Sequence, residues 1–230
     1  MARRPTDQEL FAALDSERWR AAIAHWIAEA RSERLDDPGL TRLQRGWLKA
    51  AIEAQGTPPI QPLVRRTEPA HDVGLVEIDP ALAMINPWSR DRLSAIARSG
   101  QAVTNHPKVF SMGGILGFSD GNHRLAYSLI TGRSLLAHLT IYSSPEPQNV
   151  TFLVSDEGGV WWRLACEDDS HAVQVSGWSS REMVAPRGDY NATLNLYEAA
   201  GANIIRLPPV KRRPAEMIRR RTFLDRVLRR

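Results

Sequence analysis

Five consecutive residues, Asp120-Gly121-Asn122-His123-Arg124, bring together a carboxylate, a glycine, an amide, an imidazole and a guanidinium. Ile115 to Phe118 before them reads as a short apolar strand, and a helix follows from about Asn122 to Thr131, with Gly132 as its stop. At such a strand-to-helix corner several free backbone N–H groups point outward together, and the positive end of the helix attracts a phosphate oxygen. Gly121 lets the backbone approach a ligand closely. Asn122 and His123 are expected to project donors into the opening, and Arg124 can grip a phosphate with two parallel hydrogen bonds. Asp120 supplies a carboxylate, either to hold a divalent cation or to fix Arg124. The residues alone therefore specify a pocket for an anion or, on the plainer reading, a helix cap in which Asp120 satisfies backbone donors and His123 is packed or solvated.

The elements that must position this corner follow from patterning. Thr6-Asp7-Gln8-Glu9 opens a first helix with a capping box, and Leu10, Leu14, Ile23, Trp26, Ile27 and Ala30 follow at helical spacing, with a slip near Ser16 that predicts two helices or a bend. After Asp36-Asp37-Pro38-Gly39 an amphipathic helix runs from Leu40 to Ala54, and Gly56 to Pro62 is a Pro-rich linker. The pattern then becomes that of an α/β unit. Val73 to Ile78 is a strand, Asp79-Pro80 a turn, and Ser89 to Ser99 a helix stopped by Gly100. Val109-Phe110 and Ile115 to Phe118 form a hairpin through Ser111-Met112-Gly113-Gly114, and Leu135 to Tyr142 is a strand. Beyond Pro145-Glu146-Pro147, strands are expected at Val150 to Val154, Val160 to Leu164 and Ala172 to Val175, and a helix from Tyr190 to Ala200 ending at Gly201. Pro214 to Leu228 reads as an amphipathic helix.

Composition excludes several classes. The 230 residues are 43% hydrophobic and 24% charged, the balance of a globular chain with a real core. No apolar run approaches the roughly 20 residues that span a bilayer, so no membrane insertion is expected, and a cytoplasmic protein without a signal peptide is inferred. Cys166 is the only cysteine, which rules out an internal disulfide or a thiol-based zinc cluster. No Gly-x-x-x-x-Gly-Lys-Ser/Thr loop and no Gly-x-Ser-x-Gly elbow occurs. The charge is uneven: Arg206 to Arg230 holds ten Lys or Arg against Glu216 and Asp225, a net of +8, so the total of +4 leaves −4 to everything before it. Lys211, Arg212, Arg213, Arg219, Arg220 and Arg221 suit the phosphate backbone of a nucleic acid; a solubilising or partner-docking helix is the alternative.

The stretch from Val73 to Tyr142, about a third of the chain, resembles the ParB/sulfiredoxin superfamily, whose core carries a Gly-x-x-Arg or Asp-Gly-x-His-Arg motif on this corner. The resemblance rests on a succession: Val76-Glu77-Ile78-Asp79-Pro80, Arg92-Leu93 with Ile96-Ala97, His106-Pro107-Lys108-Val109, Asp120 to Ala126, then Gly132 before the last strand. It implies an α/β fold with four parts: residues 1–62 as an N-terminal helical extension, 63–145 as the compact core, 146–205 as a mixed elaboration, and 206–230 as a basic helix. In ParB proteins the corresponding Gly-Glu-Arg-Arg contacts nucleotide phosphates, which implies that role for Gly121, Asn122, His123 and Arg124. Sulfiredoxins have Gly-Cys-His-Arg there, and Asn122, which has no thiolate, takes the place of their reactive cysteine. A centromere-binding ParB has a helix-turn-helix domain after its core, whereas residues 150–205 read as β and irregular.

The function these likenesses imply is phosphate hydrolysis, of a nucleoside triphosphate (ATP or CTP) or of a DNA phosphodiester. Asp120 and Glu77 would organise a Mg2+ ion, Asn122, His123 and Arg124 would hold the phosphates, and His123 would be the acid–base group. Glu77 has a plainer alternative as a surface carboxylate on an edge strand, and His106, before a proline, could border the pocket. Plasmid fertility-inhibition proteins of this fold, which block DNA transfer by a competing conjugation system, suit an arginine-rich, lysine-poor chain. The alternatives are a noncatalytic module that binds DNA or a protein partner, and a nucleotide-dependent small-molecule kinase.

Overall fold

Local signals start the helices at Asp7 and Arg42. The computed structural model describes residues 3–56, 58, 62–65, 69–99, 105–154, 160–164, 183–184 and 190–206. Helix α1 (Asp7–Leu14) begins at the expected box: Glu9 N–H donates to Thr6 Oγ1 at 3.2 Å, and Thr6 N–H donates to the Glu9 carboxylate at 2.8 Å. The slip near Ser16 is a true break, because α2 (Trp19–Ser32) is a separate helix. Helix α3 (Arg42–Glu53) has a second box, Thr41 with Gln44, that was not expected from patterning.

Strands β1 (Val64–Arg65) and β2 (His71–Ile78) follow, then a 3-10 turn at Pro80–Leu82 and helix α4 (Arg90–Ser99). The hairpin of β3 (Lys108–Met112) and β4 (Ile115–Asp120) turns on Gly113-Gly114 alone, both at positive φ, so Ser111 and Met112 belong to the strand. Helix α5 (Asn122–Thr131) ends at Gly132 in the left-handed region and leads to β5 (Leu135–Tyr142). Strands β6 (Val150–Val154) and β7 (Val160–Leu164), β8 (Met183–Val184), α6 (Tyr190–Ala199) and β9 (Asn203–Arg206) complete the described elements.

The chain is α/β. Its main sheet has the order β2-β5-β3-β4 and is mixed: β5 runs antiparallel to β2 but parallel to β3. A second sheet is β7-β6-β9, and β1 pairs with β8. Strands β1, β8 and β9 were not expected, since two to four residues leave too little alternation to read.

Helices α1, α2 and α3 pack into the same buried clusters as the sheet and its later helices. Leu10, Leu14, Ile23 and Ile27 of α1 and α2 share one buried cluster with Leu125, Ala126, Leu129 and Ile130 of α5. Leu43, Trp47 and Leu48 of α3 share the other with Met112, Ile115, Phe152, Leu194 and Tyr197. Each large apolar side chain buried this way contributes roughly 1.5–3 kcal/mol, so the same burial that forms the N-terminal helices also fixes the back of α5.

The strand expected at Ala172 to Val175, Cys166, the stop at Gly100 and the basic residues Lys211, Arg212, Arg213, Arg219, Arg220 and Arg221 lie outside the described residues. No described helix is long and apolar enough to cross a membrane.

Candidate functional site

The corner is made by a bulge, a glycine and a proline. Lys108 pairs with Asp120 but Val109 pairs with Phe118, so Ser119 is an extra residue that re-aims the end of β4. Gly121 then sits at φ +105° and ψ +12°, where side-chain-bearing residues are strained, and starts α5 with no side-chain cap. A Cβ at Gly121 would overlap Pro107 Cβ and lie 3.1 Å from its Cγ and 3.3 Å from its Cα. Leu125 N–H donates back to Gly121 O at 2.9 Å, so the N–H groups of Asn122, His123 and Arg124 precede the first intrahelical bond.

Facing this turn is the chain from Asp79 to Arg92, and α2 together with the turn after it holds it there. Arg34 donates from Nε and Nη2 to Asp79 Oδ2, while Asp79 Oδ1 accepts from Ala81 N–H. Arg31, fully buried, donates to the carbonyls of Gly56 and Ala83 at 2.7 Å and Ala81 at 3.3 Å, and its guanidinium lies over Trp47. Burial pushes its pKa down to about 10, so it stays charged at neutral pH, held by the three carbonyl oxygens and the Trp47 ring. Met84 N–H donates to Leu116 O at 2.7 Å, which runs the segment alongside β4 toward the corner.

Asn122 and His123 therefore point at protein, not at solvent, and their expected projection into the opening is corrected. Asn122 Oδ1 accepts from Asn86 N–H at 2.9 Å and its Nδ2 donates to Asn86 O. His123 Nε2 accepts from Ser89 N–H at 3.0 Å, which puts the neutral ring's proton on Nδ1. Both side chains are buried. Burial, with the Arg92 guanidinium nearby, holds the His123 pKa below its ordinary value. With Nε2 engaged, His123 cannot act as a base through that atom unless the Ser89 bond breaks.

Arg124 also differs from expectation. Its Nη2 donates to Asp120 Oδ2 at 2.7 Å and its Nη1 to Asn105 O, so its fork is partly occupied and its side chain is only 11% exposed. Of the two roles open to Asp120, fixing Arg124 is the one seen, although the carboxylate stays 66% exposed.

Glu77 does not join them. It is exposed on β2, opposite Leu136, while Asp120 ends β4 on the other edge of the sheet. Three strand spacings, roughly 14 Å, separate those edges, so the two carboxylates cannot chelate one cation. Among the described residues no group of three His, Cys, Asp or Glu is placed to hold a metal. His106 borders a neighbouring 220 Å³ cavity that Arg124 also lines.

What the corner does open onto is a cavity of about 380 Å³ between α4 and the start of α5, lined by Trp88, Arg92, Ala95, Ile96, Phe118 and residues 119–124. Arg92 and Trp88 are not among the site residues expected from the sequence. The available signal was one turn of helical spacing, which puts Arg92 and Ile96 on one face of α4. A larger cleft of about 840 Å³ lies at the hairpin end of the sheet, against Thr41, Gly113, Gly114, Ser144 and Gly201, and contains none of the expected site residues. No family model, curated protein or solved structure matches this chain.

Proposed function

We propose that this cavity binds the phosphates of a nucleoside triphosphate or of a DNA strand and promotes their hydrolysis, in the manner of a ParB/sulfiredoxin-like nucleotide-handling protein. The observation that carries the reading is the first turn of α5, uncapped by any side chain and flanked in one cavity by Arg92 and Arg124. Helix-start N–H groups and guanidinium groups are complementary to phosphate oxygens in both charge and direction. The order β2, α4, β3, β4, α5, β5 is also the one the superfamily resemblance implies.

ATP and CTP are the nucleotides proposed, each carried as its magnesium complex. With Glu77 distant, Asp120 is the one carboxylate among the described residues at this rim, so the ion would be held chiefly by phosphate oxygens. Asp120, exposed and ion-paired through one oxygen, is the carboxylate best placed to orient a water, and Arg124 is the positioning residue that holds it. A kinase loses its motivation because Glu77 lies on the far sheet edge. The proposed setting remains inhibition of conjugative DNA transfer, with the segment 206–230 as the DNA contact.

A second reading, a noncatalytic nucleotide-binding module, is favoured by one observation: the polar atoms of Asn122 and the Nε2 of His123 are engaged by residues 86–89. Purified protein incubated with magnesium, labelled ATP or CTP and plasmid DNA separates the two. Hydrolysis requires turnover that Asp120→Asn removes and binding that Arg92→Ala weakens. Binding without turnover selects the module, and neither binding nor turnover refutes the phosphate pocket.

A further inference from the structure

We infer that Trp88 is the stacking platform for a nucleobase in this pocket, so that the ligand is a nucleotide with an unpaired base. This rests on the phosphate reading above and adds what that reading leaves open, the part of the ligand beyond its phosphates.

Trp88 is 57% exposed, the most exposed large hydrophobic side chain among the described residues, and it lines the same cavity as the start of α5. A single exposed tryptophan is by itself ordinary on a protein surface. Here, however, the indole is held in place. Its ring meets the His123 imidazole edge-on, at 5.2 Å between centroids and 74° between planes. The Arg92 guanidinium lies 4.7 Å from its centroid. The backbone is fixed on both sides: Pro87 restricts the torsions of its own residue and of Asn86, Asn86 is paired to Asn122, and Ser89 N–H is bonded to His123.

Much of the ordering entropy that a stacking side chain would lose on binding is thus already lost in the free protein. The indole is also one ring away from His123, the second residue of α5, so a flat aromatic group lies beside the helix turn proposed to take phosphate. Arg92 touches both parts of the cavity. Its guanidinium lies over one face of the indole, which stays 57% exposed, and supplies positive charge near His123, which suits a ligand that is aromatic at one end and anionic at the other. The 380 Å³ cavity falls in the size range of small-molecule sites.

Stacking needs a free base face. Duplex bases are stacked on one another and do not present one, whereas a free nucleotide or a single strand does. Because every base has such a face, Trp88 confers little choice among bases and a strong choice between paired and unpaired ones.

The test compares a ligand with a base against one without. Binding of MgATP and of magnesium tripolyphosphate is measured by calorimetry on the full chain, wild type and the variants Trp88→Ala, Trp88→Leu and Trp88→Phe, each checked for native thermal unfolding. Loss of stacking is expected to weaken MgATP roughly 5- to 150-fold in the Ala and Leu variants and less in Phe, with tripolyphosphate unchanged. A short single strand is expected to follow MgATP, and the same sequence as a duplex to bind no more tightly with Trp88 than without it. Equal affinity of wild type and variants for MgATP overturns the inference while leaving the phosphate site standing. Failure of the wild type to bind tripolyphosphate or MgATP overturns both.

Discussion

Replacing Gly121 by alanine measures how far the corner depends on the close approach of Pro107. Two costs add. At φ +105° an alanine incurs the left-handed penalty of about 1–2 kcal/mol, and its Cβ would overlap a proline ring that cannot rotate away, an overpacking cost of about 1–3 kcal/mol. Against them stands a gain of about 0.4–1 kcal/mol from the stiffer unfolded chain. The net expectation is a loss of about 1–4.6 kcal/mol, or roughly 2–18 °C in midpoint for a chain this long.

Two other glycines provide internal controls. Gly74, at φ +84°, has nothing within 4 Å of the place a Cβ would take, so its alanine variant carries the backbone penalty alone. Gly132, at φ +68°, meets only the flexible end of Arg4, at 3.1 Å. Thermal and urea unfolding of the three variants should therefore rank Gly121→Ala as the least stable, by about 1–3 kcal/mol below the other two. Equal destabilisation at all three positions would refute the claim that Pro107 packing against Gly121 sets the start of α5.

Two further outcomes follow from the wall opposite the helix. Because the folded His123 pKa lies below its ordinary value of 6.5, the unfolded chain binds the proton more readily. The stability this neutral histidine contributes is complete above pH 6.5 and declines as pH falls through 6.5 toward the folded value, by at most about 1.4 kcal/mol per pH unit. Urea titrations at pH 7.5 and 5.5 should show this loss in the wild type and a smaller one in His123→Gln; an unchanged slope in the variant would exclude His123 as its source. Replacing Arg31 by methionine removes donors from the carbonyls of Gly56, Ala81 and Ala83 and should cost about 2–5 kcal/mol. It should also weaken tripolyphosphate binding, because the chain carrying Arg92 loses its anchor, and calorimetry that finds binding intact would separate the anchor from the pocket.

The parts of this protein that are local in the chain could be read from it. Thr6 with Glu9 starts α1, a glycine pair turns the hairpin, and Gly132 ends α5, because each depends on residues within a turn of one another. For the same reason Asp120 to Arg124 was legible as a strand-to-helix corner. The orientation of its side chains was not. Asn122 and His123 are bonded to Asn86 and Ser89, 36 and 34 residues earlier, and only the packing of that segment against β4 brings them into reach. Sheet order likewise decided Glu77: strand propensity says that β2 exists, but only the arrangement β2-β5-β3-β4 puts it on the edge away from Asp120. Reading along the chain thus yields a helix start suited to an anion. Which groups surround that start depends on the packed fold, which replaces Glu77 and the free amide and imidazole with Arg92 and Trp88, because hydrogen bonds and burial are satisfied across the fold and not along the chain.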